Sequence, residues 1–273
     1  MPTPLPSRYW ADLATTDFAR LDAAKTVAVL PVGATEQHGP HLPLSVDQTL
    51  ADGIVGAALP LLPADLPVLV LPTQAVGYSP EHSRFAGTLT LSSSTVAATW
   101  IEIGQCVAQA GVKKLLIFNT HGGQVSLLDI VGRELRTRAN LIVYGCSWWN
   151  LPLPGDVTGQ FTPDEHRFGV HGGEIETSLM LALKSQSVRM GEARDFASTS
   201  RDRAAKYPIL GNGRSAKLSW HMQDYNREGA AGNAAAATAE KGQRLLDAAA
   251  QQLALLLQEI SDLPLSTLVD RPA

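Results

Sequence analysis

The sequence has few cysteines and few charged residues, and these shortages exclude several classes of protein. Its 273 residues include two cysteines, and charged residues make up 18% of the chain. Cys106 and Cys146 lie in apolar stretches without metal-ligand spacing, so a disulfide framework is excluded and a reducing cytoplasm is the expected location. The net charge of −4 leaves no basic surplus to neutralise phosphates, and nucleic acid is therefore not an expected partner.

Long apolar runs are also missing. No segment approaches ~18 uninterrupted apolar residues, so neither a membrane-spanning helix nor a membrane partner is expected. The first ten residues, MPTPLPSRYW, contain three prolines and no apolar core, unlike a signal peptide. Hydrophobic residues nevertheless make up 45% of the chain, which is enough for a sizeable core and excludes a disordered chain. The length favours a single domain over residues 1–273.

Short β-rich runs alternate with helical patterns along most of the chain. This alternation predicts an α/β fold whose parallel sheet is covered by helices on both faces. Two irregular segments, 151–170 and 184–232, interrupt it, and loops of that length usually serve function or assembly. Ser94 is a candidate N-cap for the second long helix, and Gly111 lies just past its end. The predicted strands are 26–32, 67–73, 114–119 and 141–146, and the predicted helices are 47–62, 94–110, 125–138, 174–183 and about 233–260.

The motif GATEQHGPHLPLSVD (33–47) directly follows the first predicted strand, at the sheet edge where α/β proteins bind ligands. Glu36 and His38 are two residues apart, so in an extended segment they point to the same side. His41 and Asp47 add an imidazole and a carboxylate. This combination of ligands suits zinc, manganese or iron. The alternative is a polar loop whose acids and histidines are solvated.

The motif NTHGGQ (119–124) directly follows the third predicted strand and brings His121 to the same edge. Gly122 and Gly123 permit a tight turn into the next helix. A phosphate cradle at that helix start is a competing interpretation. Against it, the segment lacks both GxGxxG spacing and a P-loop lysine. A histidine that simply ends a strand is the remaining alternative.

The motif HGGEIETS (171–178) places two glycines before a helix. Glu174 and Glu176 are two residues apart, so they cannot share one helix face, and at most one should bind metal directly. We expect Glu174 to do so, because it is nearest the glycine turn, with Glu176 hydrogen-bonding from further out. The alternative for Glu174 is electrostatic stabilisation of the helix start. His171 stays free to carry a proton, with His82 and Glu176 as the next candidates.

Three carboxylates and two imidazoles suit two divalent ions with one carboxylate bridging them. The side chains that we expect to bind these ions are Glu36, His38, Asp47, His121 and Glu174.

Two further segments follow predicted strands and should reach the same edge. The loop GYSPEHSRFAGTLTL (77–91) carries Ser79 and His82, and we expect it to contact substrate. Trp149 follows the fourth strand, where an aromatic residue serves a core or an interface at least as often as a substrate. The expected substrate-binding residues are Ser79, His82, Trp149, Gly122 and Gly123.

The motifs PVGATEQHGPHLPLSVD, GYSPEHSRFAGTLTL, NTHGGQ and HGGEIETSLMLAL, in this order over residues 31–183, resemble the creatininase (creatinine amidohydrolase) family. The resemblance implies a three-layer α-β-α sandwich with a mostly parallel central sheet. It also implies an amidohydrolase site with two divalent metal ions, Zn²⁺ or Mn²⁺, with Fe²⁺ as a further option. Asp47 would bridge the ions, and His171 would match the histidine assigned to proton transfer. The family forms rings, including hexamers, so a homo-oligomer is expected.

The resemblance is incomplete at two positions. In creatininase a metal-binding Glu follows a His-Tyr pair, whereas this chain has Gly123 there, so Glu174 looks like its replacement. Creatininase also has a tryptophan just before its HGG, where this chain has Val170, although Trp149 resembles its other substrate-side tryptophan. We therefore expect a metal-dependent hydrolase of a non-peptide amide C–N bond in a small molecule. A deformylase or small-peptide metallopeptidase is the alternative, and a non-catalytic binding protein is a third.

Overall fold

The central sheet consists of four parallel strands in the order β2-β1-β3-β4. The computed structural model describes residues 5–271. Val32 pairs with Asn119, and Asn119 pairs with Ser147, so the carboxyl ends of three strands lie together at one edge. The strands are β1 (Val27–Val32), β2 (Val68–Val70), β3 (Lys114–Asn119) and β4 (Ile142–Ser147).

Nine helices accompany the sheet within residues 5–271. Their bounds are α1 (Val46–Ala58), α2 (Ser93–Gln109), α3 (Val125–Ala139), α4 (Gly155–Thr158), α5 (Pro163–Phe168), α6 (Glu174–Lys184), α7 (Ser200–Lys206), α8 (Met222–Tyr225) and α9 (Ala239–Asp262). No helix in this part of the chain is both long and apolar enough to cross a lipid bilayer.

Alternate side chains of the strands enter two separate cores, because successive residues of a strand point to opposite faces. Val29 and Phe118 pack in the core with α1, α6 and α9. Leu30 and Ile117 pack in the other core, with α2 and α3. Burial of both faces explains the near-continuous apolar runs of β1 and β3. The three-layer α-β-α arrangement with a parallel central sheet is thereby confirmed.

The two irregular segments contain short elements that lie near the carboxyl edge. Helices α4 and α5 lie in 151–170, whereas 184–232 contains α7, α8 and most of a small antiparallel pair. This pair joins β5 (Asp195–Phe196) to β6 (Gly232–Asn233). The backbone of His171 exchanges hydrogen bonds with Ala231, 3.3 and 2.7 Å long. The second segment is therefore attached directly to the motif that carries His171.

Several element boundaries differ from the sequence prediction. Helix α1 ends at Ala58 and not at 62, because a 3-10 turn with Pro60 follows it. The last helix begins at Ala239 and not near 233, because β6 and a 3-10 turn (Ala234–Ala236) precede it and Thr238 is its N-cap. Ser92, not Ser94, caps α2, since its hydroxyl accepts a hydrogen bond from the Thr95 amide. The second strand is limited to three residues, and the chain then turns into the loop that carries Ser79.

Candidate metal centre

Asp47 lies at the middle of a cluster of buried carboxylates and imidazoles at the carboxyl edge of the sheet. It belongs to the first turn of α1, directly after the loop that leaves β1. Its Oδ1 is 3.5 Å from His38 Nε2, and its Oδ2 is 3.4 Å from His121 Nδ1. All three side chains are buried. One carboxylate therefore presents one oxygen to each of two imidazoles, which is the geometry of a bridging ligand.

Two further carboxylates flank Asp47 on opposite sides. Glu36 Oε1 is 3.2 Å from His121 Nδ1, whereas Glu176 Oε2 is 4.0 Å from His38 Nε2. Ligand atoms of His38, Asp47 and Glu176 all lie within 4.8 Å of one another. Two other sets of ligand atoms satisfy the same limit, namely Glu36 with His38 and His171, and Glu36 with Glu81 and His121. The pairwise distances around Asp47 define two groups of three that share it. The first is Glu36, Asp47 and His121, and the second is His38, Asp47 and Glu176.

Backbone carbonyls fix which nitrogen of each imidazole faces the cluster. His38 Nδ1 lies 3.0 Å from the Glu36 carbonyl oxygen, and His121 Nε2 lies 3.0 Å from the Tyr78 carbonyl oxygen. Because a carbonyl oxygen only accepts, these two nitrogens donate. The opposite nitrogens, His38 Nε2 and His121 Nδ1, therefore face the carboxylates. Metal-bound histidines are held in the same way, by a hydrogen bond from the ring nitrogen that does not bind the metal.

Two buried atoms of the cluster have no hydrogen-bond partner among residues 5–271. They are His38 Nε2 and Asp47 Oδ2. Buried polar atoms are nearly always partnered, by protein, water or a bound ion. A divalent cation would satisfy both atoms, and a set of carboxylates and imidazoles suits zinc, manganese or iron. The residues present therefore fit a centre for two divalent ions.

The pKa values of the cluster indicate that it favours positive charge. Burial opposes charge on His38, but Asp47, Glu176 and Glu36 together raise the pKa of His38 to about 9. Burial likewise opposes charge on His121, whose pKa is raised well above its ordinary value by Glu36 and Asp47. Burial raises the pKa of Glu176 to about 7, against the attraction of His38. Without a metal, protons thus occupy the positions that a cation would take.

The structure does not bring Glu174 to the cluster, and this corrects the expectation that it is the nearer carboxylate of α6. Glu174 is the first residue of α6, and its carboxylate forms an ion pair with Lys241 of α9. Two residues along a helix correspond to a rotation of ~200°, so Glu176 points to the opposite side, toward His38. Glu176 also accepts a hydrogen bond from the Gly172 amide at 2.6 Å. The packing of α6 on α9 directs Glu174 toward Lys241 and leaves Glu176 facing the cluster.

His171 lies between His38 and His82, with ring centroids 4.0 and 4.1 Å away. Its Nε2 is 2.6 Å from the Gln37 carbonyl oxygen and therefore carries the proton. Its unprotonated Nδ1 is 3.7 Å from Glu36 Oε1. Burial, followed by the charge on His38, holds the pKa of His171 well below its ordinary value. His171 is thus a neutral imidazole with a free lone pair directed at the cluster.

His82 has the opposite arrangement of protons. Its Nδ1 accepts a hydrogen bond from the Gln37 side-chain amide at 2.7 Å, so its Nε2 carries the proton. That Nε2 lies 3.4 Å from Glu36 Oε1. Burial lowers the pKa of His82 to about 4 and keeps the ring neutral. His82 therefore presents a hydrogen-bond donor to the space beside the cluster.

A cavity of about 490 Å³ opens beside the cluster, and four of the five predicted substrate-binding residues line it. Ser79 is the exception, since it is buried and its hydroxyl donates to Glu36 Oε2. Ser79 thus orients a carboxylate of the cluster and does not face the cavity. The other four are His82, Trp149, Gly122 and Gly123, and the cluster residues at this cavity are Glu36, Asp47, His121, His171 and Glu176.

Glu81 and Trp220 also line this cavity, although neither was among the predicted site residues. Glu81 Oε1 lies 3.5 Å from His121 Nε2, and a Cβ on Gly123 would collide with the Glu81 carboxylate. Burial raises the pKa of Glu81. In the sequence, Glu81 directly precedes the predicted substrate-binding residue His82, and this adjacency could have indicated that Glu81 lies at the site. Trp220 comes from the irregular segment 184–232, where no periodic pattern indicated which side chain turns inward.

Known proteins of one family are similar to this chain. A sequence model of the creatininase family, described as creatinine amidohydrolase, matches residues 11–257. The mycofactocin precursor peptide peptidase of Mycobacterium tuberculosis is 30% identical over 243 residues, covering 87% of this chain and 86% of the relative. The creatinine amidohydrolase of Pseudomonas putida is 30% identical over 258 residues, covering 88% of this chain and 92% of the relative.

Solved structures similar to this chain include creatininases with different metals. A creatininase variant described as the Zn–Zn type matches with a TM-score of 0.71 and 27% identity, covering 93% of this chain and 98% of that one. A manganese creatininase matches with a TM-score of 0.69 and 26% identity, with the same coverage of both chains.

Proposed function

The chain belongs to the creatininase family and is a hydrolase of C–N bonds. We propose that it is a metal-dependent amidohydrolase that cleaves a non-peptide amide. The observation that carries the proposal is the position of Asp47, whose two oxygens each face a different imidazole. The unpartnered His38 Nε2 and Asp47 Oδ2 support it further, because a metal ion would complete the coordination of both.

In this proposal two divalent ions, Zn²⁺ or Mn²⁺, occupy the two groups of ligands. Glu36, Asp47 and His121 hold one ion, and His38, Asp47 and Glu176 hold the other. Two ions held by these residues would supply a hydroxide at neutral pH and would polarise the carbonyl of the substrate. Glu176 thereby takes the metal position first expected for Glu174. The zinc and manganese forms of creatininase are consistent with either metal.

His171 carries the proton that the leaving nitrogen needs, because an amide anion is a very poor leaving group. Its Nδ1 has a free lone pair beside Glu36, so it would accept the proton of the hydroxyl group that adds to the carbonyl carbon and pass it to the nitrogen of the departing amine as the C–N bond breaks. The hydrogen bond from Nε2 to the Gln37 carbonyl oxygen keeps the ring in this orientation.

The remaining residues orient the substrate and the ligands. His82 donates a hydrogen bond from Nε2 to the substrate in the cavity, while Trp149, Gly122 and Gly123 form its walls. Ser79 holds Glu36 in place through its hydroxyl. The enclosed position of Glu36, Asp47 and His38 limits access of bulk water, which strengthens the electrostatic interactions within the site.

A metal-dependent substrate screen tests this function. Metal-stripped protein is loaded with Zn²⁺ or Mn²⁺ and assayed with creatinine, formamides and short peptides. We expect hydrolysis of a non-peptide amide by the loaded protein and no hydrolysis by the stripped protein. If the protein binds neither metal, and neither raises its melting temperature, the proposal fails in favour of a non-catalytic binding protein.

Hydrolysis of a formyl group or a short peptide is the second candidate function. Two observations favour it: the relative named as a peptidase, and Val170 in place of the tryptophan that creatininase has before its HGG. Release of amino acids from a dipeptide panel, at rates above those for creatinine and formamides, would select the peptidase.

We also propose that the chain forms a homo-oligomer. Ile209 and Leu210 are adjacent in the irregular segment 184–232 and are 65% and 63% exposed, and neighbouring exposed aliphatic side chains are a feature of subunit contacts. We expect a particle larger than one chain by light scattering at micromolar concentration, and a monomer would contradict this proposal.

A further inference from the structure

A second cavity, of about 610 Å³, adjoins the cavity at the candidate metal centre. Five residues line both cavities, so the two are neighbours that meet at these side chains. A Cβ at one of the five, Gly122, would have no atom within 4 Å, and the passage there is therefore open. The shared residues are Glu81, Gly122, Gly123, Val170 and Trp220.

Cationic side chains are concentrated in the second cavity. Arg167, Arg203 and Lys217 line it, against one carboxylate, Glu81, among its described lining residues. The ion pairs found within residues 5–271 involve other cations, such as Lys241 with Glu174, and none includes these three. The chain as a whole carries a net charge of −4, so the excess of positive charge in this cavity does not follow from a basic composition.

The guanidinium groups of two arginines each lie near an aromatic ring and are only partly hydrogen-bonded. Arg203 lies 4.8 Å from the centre of the Tyr225 ring and donates to Thr199 Oγ1 at 3.0 Å. Its Nη2 is buried and has no hydrogen-bond partner in the part of the chain that the structure describes. Arg167 lies 4.9 Å from the Phe168 ring and donates to the Gly211 carbonyl oxygen. Guanidinium groups that retain unused N–H donors form charge-assisted hydrogen bonds with the oxygens of a carboxylate or a phosphate.

We propose that the second cavity binds an oxyanion group of the substrate, a carboxylate or a phosphate, while the scissile amide lies at the metal centre. The inference rests on the proposed amidohydrolase function and narrows its substrate to an amide that carries an anionic group at a distance from the scissile bond. Phe168, Trp220 and Tyr225 would contact the apolar part of such a substrate. The open position at Gly122 lets the molecule extend from one cavity into the other.

Binding to metal-stripped protein tests the subsite without requiring catalysis. The probes are N-acetylphenylalanine, its uncharged C-terminal amide, and phenyl phosphate, each titrated by calorimetry. We expect at least one anionic probe to bind about tenfold more tightly than the amide. The Arg203→Gln variant should lose this preference, and Arg203→Lys should retain part of it. Arg133→Gln, on the exposed surface of α3, is the matched control and should retain all of it.

The preferred anion identifies the substrate class. Preference for the carboxylate indicates an amide derived from an amino acid or peptide, whereas preference for phenyl phosphate indicates a phosphorylated amide. Equal binding of the anions and the amide would overturn the inference, as would an unchanged preference in Arg203→Gln. Circular dichroism and the melting temperature check that each variant is folded.

A catalytic measurement separates failure of the subsite from failure of the proposed function. Metal-loaded protein is assayed with N-formylphenylalanine and with its C-terminal amide, and we expect the Arg203→Gln variant to raise KM for the anionic member more than it lowers kcat. Anion binding that depends on Arg203, without hydrolysis of any amide, upholds the subsite and refutes the proposed function. Hydrolysis of both amides at equal rates upholds the proposed function and refutes the subsite.

Discussion

The buried ionisable groups at the two edges of the central sheet have different partners. At the amino edge, Lys114 is fully buried, and its ammonium group donates to the Ser261 carbonyl oxygen at 2.5 Å. At the carboxyl edge, His38 Nε2 and Asp47 Oδ2 are equally buried but have no partner in the part of the chain that the structure describes. A carbonyl oxygen of the same chain accepts the hydrogen bond from Lys114, so Lys114 has a structural role. His38 Nε2 and Asp47 Oδ2 need a partner from outside the chain, and we infer that this partner is a metal ion.

The same contrast recurs within α6. Glu174 and Glu176 are two residues apart, yet the first pairs with Lys241 and the second faces His38. One carboxylate is neutralised by a lysine of the same chain. The other joins a cluster in which negative charge is opposed by protons on imidazoles. Glu174 is already neutralised by Lys241, so of these two carboxylates only Glu176 is available to bind a metal ion.

The largest expected effect comes from removing the carboxylate shared by both groups of ligands. Asp47→Asn should lose both metals and reduce amide hydrolysis to the level of metal-stripped protein, because Asp47 serves both ions. Elemental analysis and the amidase assay measure the two effects. Asp52→Asn is the matched control, since Asp52 lies on the same helix but is exposed. Two bound metals in Asp47→Asn would refute the bridging role.

The next effect separates a proton carrier from a metal ligand. His171→Asn should lower kcat by ~10²–10⁴-fold, the usual loss when a group that transfers protons is removed. Both metals should stay bound, because the proposal assigns His171 to proton transfer and not to metal binding, although its ligand atom lies close to those of Glu36 and His38. Loss of metal from this variant would make His171 a ligand, and nearly full activity would assign the proton transfer to another group.

A smaller, graded effect should appear in the pH dependence of metal binding. The pKa of His38 is raised to about 9 and that of His121 also lies well above its ordinary value, so both rings are protonated in the metal-free protein at neutral pH. Metal must displace these protons, so the apparent affinity should rise with pH between 6 and 9, by up to about tenfold per pH unit for each proton released. Calorimetry in buffers of different ionisation enthalpy counts the protons. A flat affinity without proton release would contradict the account.

The sequence predicted those features that depend on local pattern. The limits of β3, Lys114–Asn119, agree with its apolar run, and the alternation of strands and helices was sufficient to predict the sheet. Glu36, His38, Asp47 and His121 were predicted to meet because each follows the carboxyl end of a strand, either directly or, like Asp47, at the start of the next helix. That argument needs only the topology of a parallel sheet.

Features that depend on packing between distant segments were not predictable in the same way. The choice between Glu174 and Glu176 depends on Lys241, which is more than sixty residues further along the chain. Trp220 reaches the cavity from an irregular segment, and Arg203 is oriented by the Tyr225 ring. Helical spacing showed that only one of the two glutamates faces the cluster, but it contained no information about which one.

The central claim is that Glu176, together with His38 and Asp47, completes a centre for two metals. The most direct test counts metal ions per chain, by elemental analysis after Zn²⁺ loading, in the wild type, Glu176→Gln and Glu174→Gln. The account predicts two ions in the wild type, two in Glu174→Gln, and one in Glu176→Gln. One ion in Glu174→Gln together with two in Glu176→Gln would contradict it.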